Sequence, residues 1–435
     1  MRNRFLYKVK NNKELSEKLI FWAKKFKYSC FLYSNSTIKK MPKEYYQYEF
    51  LLGVGAHKIC SSNNDSFDKL KVFHNSYKDW MFGHFSYDLK NEIDKLNSEN
   101  IDNLNFPNLF FFIPKIVFTM KEGVLYVDTF SDKKETDIII KEIENQVADE
   151  AFFSNLKMHK RETKQEYLKK IKQIKAHIKR GDIYEMNYCQ EFFSENVELN
   201  VEALFYSINK KTKAPFSCFL HLDDKYLLCF SPERFLRKKN QQILSQPIKG
   251  TRKRSDNQEL DSILKNELLL SEKDKSENVM ITDLVRNDLS KYASKASVKI
   301  EELFGVYSFA QVHQMISTIS AELESDCNFV DAIKGAFPMG SMTGAPKRKA
   351  MELIEKFEAT KRGLFSGSVG YITPNADFDF NVVIRSILYN ASKKYFSVTA
   401  GGAITNRSVV EEEYKECLIK VKTILEIASG EKVNT

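Results

Sequence analysis

At 435 residues, 43% apolar and 13% aromatic, the chain can bury a large core as two or three conventional domains or one composite domain, and it is not intrinsically disordered. Its net charge of +9 is spread from Lys8 to Lys432 among interleaved acids, with no helix-turn-helix, zinc-finger or RNA-binding signature, which excludes nucleic acid as the expected partner and leaves an anionic small substrate or plain solubility. Seven scattered cysteines without a CxxC pair point to reduced thiols in the cytoplasm; the basic start at Met1 lacks an apolar signal-peptide core, and the greasiest run, 109–118, is broken by Pro114 and Lys115 and too short to cross a bilayer.

In chain order, residues 1–150 show short aromatic and β-branched runs, such as Phe110-Phe111-Phe112-Ile113 and Val124-Leu125-Tyr126-Val127, separated by polar turns; they predict a strand-rich region. From 151 to 430 the character changes. Thr163 with Glu166 has capping-box spacing, and Leu168, Ile171, Ile174 and Ile178 repeat at helical intervals until Gly181. Strands are expected at 182–192 and 226–230, then a charged helical stretch from Asn257 to about Leu289. Later helices are expected over 329–335, 346–358 and 409–428, with strands at 366–373, 380–389 and 395–400 between the last two. Ser408 with Glu411 has the spacing of another capping box. Bunched strands favour an α+β fold with largely antiparallel sheets over a parallel doubly wound one. There is no GxGxxG or Walker A motif to support nucleotide binding.

Several positions carry possible chemistry. Lys249 lies in Pro247-Ile248-Lys249-Gly250-Thr251, where Pro247 and Gly250 predict a turn of the kind that presents reactive residues. A lysine whose amine is neutral can bond carbon directly; a charged one is an ordinary surface cation. Asp274 and Glu277 project from one helical face, and Glu413 and Glu416 do the same on the last helix. Such carboxylates are usually solvated, but from two facing helices they suit a hard cation, best Mg²⁺. Gly401-Gly402-Ala403 after an apolar strand can offer amides to an anion, as can the helix start after Gly344-Ala345-Pro346-Lys347. Arg385 is a cation within an apolar strand. His313 has no Ser or Cys partner with triad logic.

These pieces occur in one order. From Gly181 onward, the segments Gly181-Asp182-Ile183-Tyr184, Ser231-Pro232-Glu233-Arg234-Phe235, Pro247–Thr251, Glu277–Asp288, Gly340–Lys347, Gly367-Ser368-Val369-Gly370-Tyr371, Ile384-Arg385-Ser386 and Ala400–Ile404 together resemble the chorismate-utilising enzymes. That family includes aminodeoxychorismate synthase component I, anthranilate synthase component I, and the isochorismate and salicylate synthases. The first 150 residues match more loosely, best at Phe82-Gly83-His84-Phe85-Ser86-Tyr87-Asp88-Leu89. The resemblance implies two large, mainly antiparallel sheets packed roughly orthogonally as a sandwich, with residues 1–150 part of it, 151–430 the catalytic region and chorismate between the sheets.

Carried over by position, the resemblance makes Glu277 and Glu416 direct Mg²⁺ ligands, with Asp274 and Glu413 acting through water. Tyr371, Arg385, Gly401 and Gly402 match positions that hold the enolpyruvyl carboxylate. Gly250, Thr251 and Ser341 match other pocket positions, and Glu233 matches a general acid for the departing C4 hydroxyl. Anthranilate synthases typically have alanine at the place of Lys249, whereas many aminodeoxychorismate synthases have lysine. The expectation is therefore attack of Lys249 on C2, then displacement by ammonia at C4, giving 4-amino-4-deoxychorismate for 4-aminobenzoate and folate. A neutral amine is required, so burial or a nearby Mg²⁺ is expected to lower the Lys249 pKa. No glutaminase motif is seen, so ammonia is expected from a separate glutamine amidotransferase subunit. Two positions depart from the family. Gln314 replaces a frequent histidine, with His313 one place earlier, and Glu185 stands where water-using relatives keep lysine and amine-using ones usually glutamine. Anthranilate synthesis is the alternative, and a non-catalytic ligand-binding relative a remote one.

Overall fold

The computed structural model describes residues 1–35, 48–147 and 156–432. It is α+β, and among the described residues twenty strands form one hydrogen-bonded sheet, its strand pairings antiparallel, in place of the two separate sheets expected. The reason is the long pair Phe50–Ser62 and Leu109–Lys121. One edge of Leu109–Lys121 is shared along its length, by Met81–Phe85 at its start and by Val124–Thr129 at its end. Two arms therefore grow from a common root without a break in the ladder. One arm runs through Tyr28–Tyr33, Phe216–Leu222, Lys225–Ser231, Ser386–Asn390 and Tyr395–Thr405 to Glu185–Ser194. The other runs through Met81–Phe85, Ser368–Ile372, Phe378–Asn381, Arg234–Lys239 and Gln242–Gln246 to Val312–Glu322, whose edges also carry Ile248–Lys253 and Lys299–Ser308.

Strand alternation decides which core each side chain joins. Leu227 and Leu388 on the first arm share an apolar cluster with Phe82, Leu236, Ile319 and Phe380 on the second, so the arms enclose a common core. Their chain neighbours Leu228 and Ile387 point the other way, against Trp22, Ile171, Leu204, Ile354 and Leu425 of the outer helices. The strands of residues 1–147 thus belong to the same sheet as those that follow. No helix among the described residues is long and apolar enough to cross a membrane.

The helix Lys164–Lys179 has the capping box of Thr163 and Glu166, and Gly181 follows it at φ +82°. The stretch from Asn257 is two helices, Gln258–Leu270 and Glu272–Ser290, because Ser271 is extended and its hydroxyl caps the second by accepting from the Asp274 amide. The strand expected at 380–389 is likewise interrupted, between Phe378–Asn381 and Ser386–Asn390, with Arg385 at φ +52°. Ser408 does not cap the last helix, Val410–Ser429, whose N-cap is Val409. The Ser408 hydroxyl instead accepts from the Thr405 amide and bonds the Glu413 carboxyl.

Candidate active site

The free ends of the two arms meet at one contact: Lys249 on the second donates from Nζ to Glu185 Oε1 on the first, at 3.0 Å. The expected turn around Lys249 is instead a bulged strand, Ile248–Lys253. Ile248 pairs with Ile316 but Thr251 with Gln314, so Lys249 and Gly250 together face a single residue of the partner strand. Such a bulge re-aims a side chain. Gly250 sits at φ +91°, and a Cβ there would meet Leu268 Cδ1 at 2.9 Å and Asp274 Cβ at 3.0 Å. Only glycine fits this backbone without strain.

Lys249 and Glu185 are both buried, Glu185 completely, and among the described residues the second oxygen of Glu185 has no hydrogen-bond partner. The expected lowering of the Lys249 pKa is not found. Burial does disfavour the ammonium, but Glu185, Glu277 and Glu233 outweigh it and raise the pKa. Glu233 is also shifted upward. Burial lifts it to about 7, against the opposing hydrogen bond from Ser341 and the charge of Lys249. Its backbone is fixed by its own amide donating to Ser231 Oγ and by its carbonyl accepting from Val382. Ser341, in the turn Gly340–Met342, shares with Glu233 a cavity of about 20 Å³, room for one water-sized molecule.

The four carboxylates come in two pairs, but among the described residues no three acidic, histidine or cysteine side chains converge closely enough to hold a metal. Asp274 is held by Arg252 at 2.9 Å. Glu277 has Lys273 at 4.0 Å as its nearest cation, accepts no hydrogen bond among the described residues, and is raised by burial to about 7. Glu416 is paired with Lys420 at 2.7 Å, and that lysine first of all holds it at about 2. Glu413 is raised by burial. The donor chemistry of these carboxylates suits a hard cation such as Mg²⁺, with Glu277 partly buried and Glu416 exposed and already paired with Lys420.

Arg385 lies beside this group: it donates to the Lys420 carbonyl at 3.1 Å, and burial lowers its pKa against the pull of Glu416. At Gly402 a Cβ would come within 3.3 Å of Glu413 Oε2, and at Gly401 within 1.8 Å of the Tyr188 carbonyl. Gly401→Ala is therefore expected to split the ladder between Tyr395–Thr405 and Glu185–Ser194, costing about 4 kcal/mol or more, read as a lowered unfolding midpoint. Thr251 is exposed on the bulged strand.

Tyr371 does not join the Lys249 cluster. It packs against Tyr48, Trp80 and Phe82 beside a separate cavity of about 70 Å³. His313 is engaged by Asp261 at 3.0 Å and Ser308 at 2.8 Å, while Gln314 is buried with an unpartnered Oε1. Sequence reasoning passed over Lys420, although it stands one helical turn beyond Glu416 and on its face. It also passed over Asn187, two residues beyond Glu185 and so on the same side of the strand.

The family model described as chorismate binding enzyme matches residues 23–426. The chain is 40% identical over 263 residues to aminodeoxychorismate synthase component 1 of Salmonella typhimurium (strain LT2), covering 60% of this chain and 57% of that one. It is 31% identical to the protein of the same description from Bacillus subtilis (strain 168), covering 78% and 74%. A probable aminodeoxychorismate synthase, chloroplastic, from Oryza sativa subsp. japonica is 40% identical, but the chain spans only 29% of its length. Among solved structures, anthranilate synthase component I from Streptococcus pneumoniae TIGR4 shares the fold with a TM-score of 0.77 at 23% identity, over 86% of this chain and 91% of that one. The menaquinone-specific isochorismate synthase MenF from Escherichia coli does so at 0.76 and 16% identity, over 98% and 94%.

Proposed function

Since the chain belongs to the chorismate binding enzyme family, we propose that it is an aminodeoxychorismate synthase component 1, making 4-amino-4-deoxychorismate from chorismate and ammonia. The observation that carries this reading is Lys249, buried on its bulge within 3.0 Å of Glu185, with Glu233 nearby and raised by burial to about 7. Curated relatives of that description at 31–40% identity support it.

Lys249 rests as an ammonium and hands its proton to Glu185 when substrate arrives. The freed amine attacks C2 of the ring, the diene shifts, and the C4–O bond breaks as Glu233 gives its proton to the leaving hydroxyl, which departs as water. Ammonia then attacks C4, the double bonds shift back, and the C2–N bond breaks to release Lys249 as an amine, which recovers its proton from Glu185. The new C4 ammonium returns a proton to Glu233 through solvent. Arg385 and the Gly401–Gly402 amides suit a substrate carboxylate. Glu277 and Glu416, supported by Glu413, would hold Mg²⁺, whose charge would bind the ring carboxylate and steady the rearranging diene. Ammonia comes from a separate glutamine amidotransferase component, and a different lyase completes 4-aminobenzoate. The cytoplasm is the proposed compartment.

Incubation with chorismate, Mg²⁺ and ammonium tests the reading. The expected product yields 4-aminobenzoate only after lyase is added, and chelation of Mg²⁺ stops its formation. Anthranilate appearing without lyase, or no chorismate consumption, would sink it.

A further inference from the structure

A buried clamp joins the strand that carries Glu185 to the turn that carries Ser341. Arg362, 4% exposed, is held by both oxygens of Glu358, at 2.9 and 2.7 Å, and lies over the Tyr87 ring at 4.7 Å. Its remaining donors reach two backbone carbonyls on different segments: Met342 at 2.6 Å and Asn187 at 3.1 Å. Glu358 also accepts the Cys189 amide at 2.9 Å. The Asn187 side chain then donates to the Ser341 carbonyl at 2.7 Å, and its amide to Thr343 at 2.8 Å.

The two segments so joined are the ones that flank the reacting pair. The strand Glu185–Ser194 carries Glu185, the partner of Lys249. The turn Gly340–Met342 carries Ser341, which lines one small cavity with Glu233 and, as a hydrogen-bonding neighbour, holds its carboxyl down. A fork-shaped guanidinium can tie two carbonyls and a carboxylate in one fixed geometry, which a lysine cannot. Every member of the clamp is buried, so the geometry is not loosened by water.

We propose that Asn187 and Arg362 are positioning residues that hold Ser341 against Glu233 and so aim the acid at the leaving hydroxyl. This rests on the reading of Glu233 as the general acid. Its carboxyl is also faced by Lys249 and the Ile248 backbone, and shares its cavity with Arg234 and Asp288, none of which the test variants alter.

Asn187→Ala removes one side-chain bond and keeps both backbone ones. It is expected to lower kcat about 10- to 100-fold with KM for chorismate little changed. An infrared titration of the Glu233 carboxyl, assigned by its loss in Glu233→Gln, reads the clamp without turnover. The Ser341 bond holds Glu233 down, so the midpoint should rise in Ser341→Ala and in Asn187→Ala, and no further in the double variant. Asn187→Leu, similar in size and without a donor, predicts the same shift should the alanine variant not fold. A wild-type midpoint in Asn187→Ala and Asn187→Leu beside a shifted Ser341→Ala, or additive shifts in the double variant, would overturn the clamp. Absence of chorismate turnover by the wild type would strike only the functional reading, and the titration would still decide the clamp.

Discussion

Lys249→Ala is expected to lower the amination rate at least ~10³-fold and to destabilise the protein, and the two effects are separable. The stability loss comes from Glu185, which is completely buried and whose side chain accepts a hydrogen bond from Lys249. Removing one partner of a buried pair leaves an uncompensated charge, at a cost of about 3–5 kcal/mol. Adding Glu185→Gln removes that charge, so the double variant should recover most of the unfolding midpoint. It should recover none of the rate, because no nitrogen remains to attack C2. Wild-type protein given chorismate without ammonia should show an adduct of chorismate less water on Lys249 by intact mass, absent from the alanine variant. Full amination by Lys249→Ala would remove the covalent route and leave the lysine a charge partner.

The resting charge of Lys249 bears on how the step begins. Three carboxylates keep the amine protonated even though burial works against it. In the proposed mechanism the ammonium is a store whose proton is released on substrate entry. A carboxylate substrate and a cation near Glu277 would both alter the field that holds it, which would make activation conditional on a loaded site.

Much of this was legible where the cause is local. Thr163 and Glu166 cap their helix because the spacing alone brings side chain and amide together. The ordered motifs single out Lys249, Glu233, Glu277, Glu416 and Arg385; the fold brings Glu233 and Glu277 into the field of Lys249, and Glu416 into that of Arg385. What was not legible depends on partners far along the chain. The bulge at Lys249 exists only in register with Val312–Glu322, so its sequence reads as a turn. The joining of two expected sheets into one rests on how Met81–Phe85 and Val124–Thr129 divide an edge of Leu109–Lys121. The break at Ser271 was hidden by continuous helical periodicity on both sides. The rise in the Lys249 pKa needed three carboxylates from separate segments. Tyr371 follows its motif onto the expected strand, yet strand alternation turns it toward Tyr48 and Trp80.

Glu233→Gln is expected to lower kcat by about 10²- to 10⁴-fold, the usual worth of a positioned proton donor, while leaving KM for chorismate nearly unchanged. Glutamine keeps the shape and can still bond Ser341, but has no proton to give to a leaving hydroxyl. The sign of the pH dependence follows from burial, which lifts Glu233 from the ordinary carboxylate range to about 7. The wild type should therefore lose activity as pH rises through about 7, because the acid is spent. Glu277, raised to a similar value, works in the opposite sense, since a cation needs it ionised; its influence belongs to the acid limb. Stability gives a second reading of the same group. A folded pKa above the unfolded one means that the native state holds the extra proton. The Glu233 contribution is thus complete below its unfolded pKa and lost as pH climbs through the folded value. In Glu233→Gln both the basic limb of kcat and that part of the stability slope should vanish together. A variant that kept the basic limb would place the proton donor on another residue.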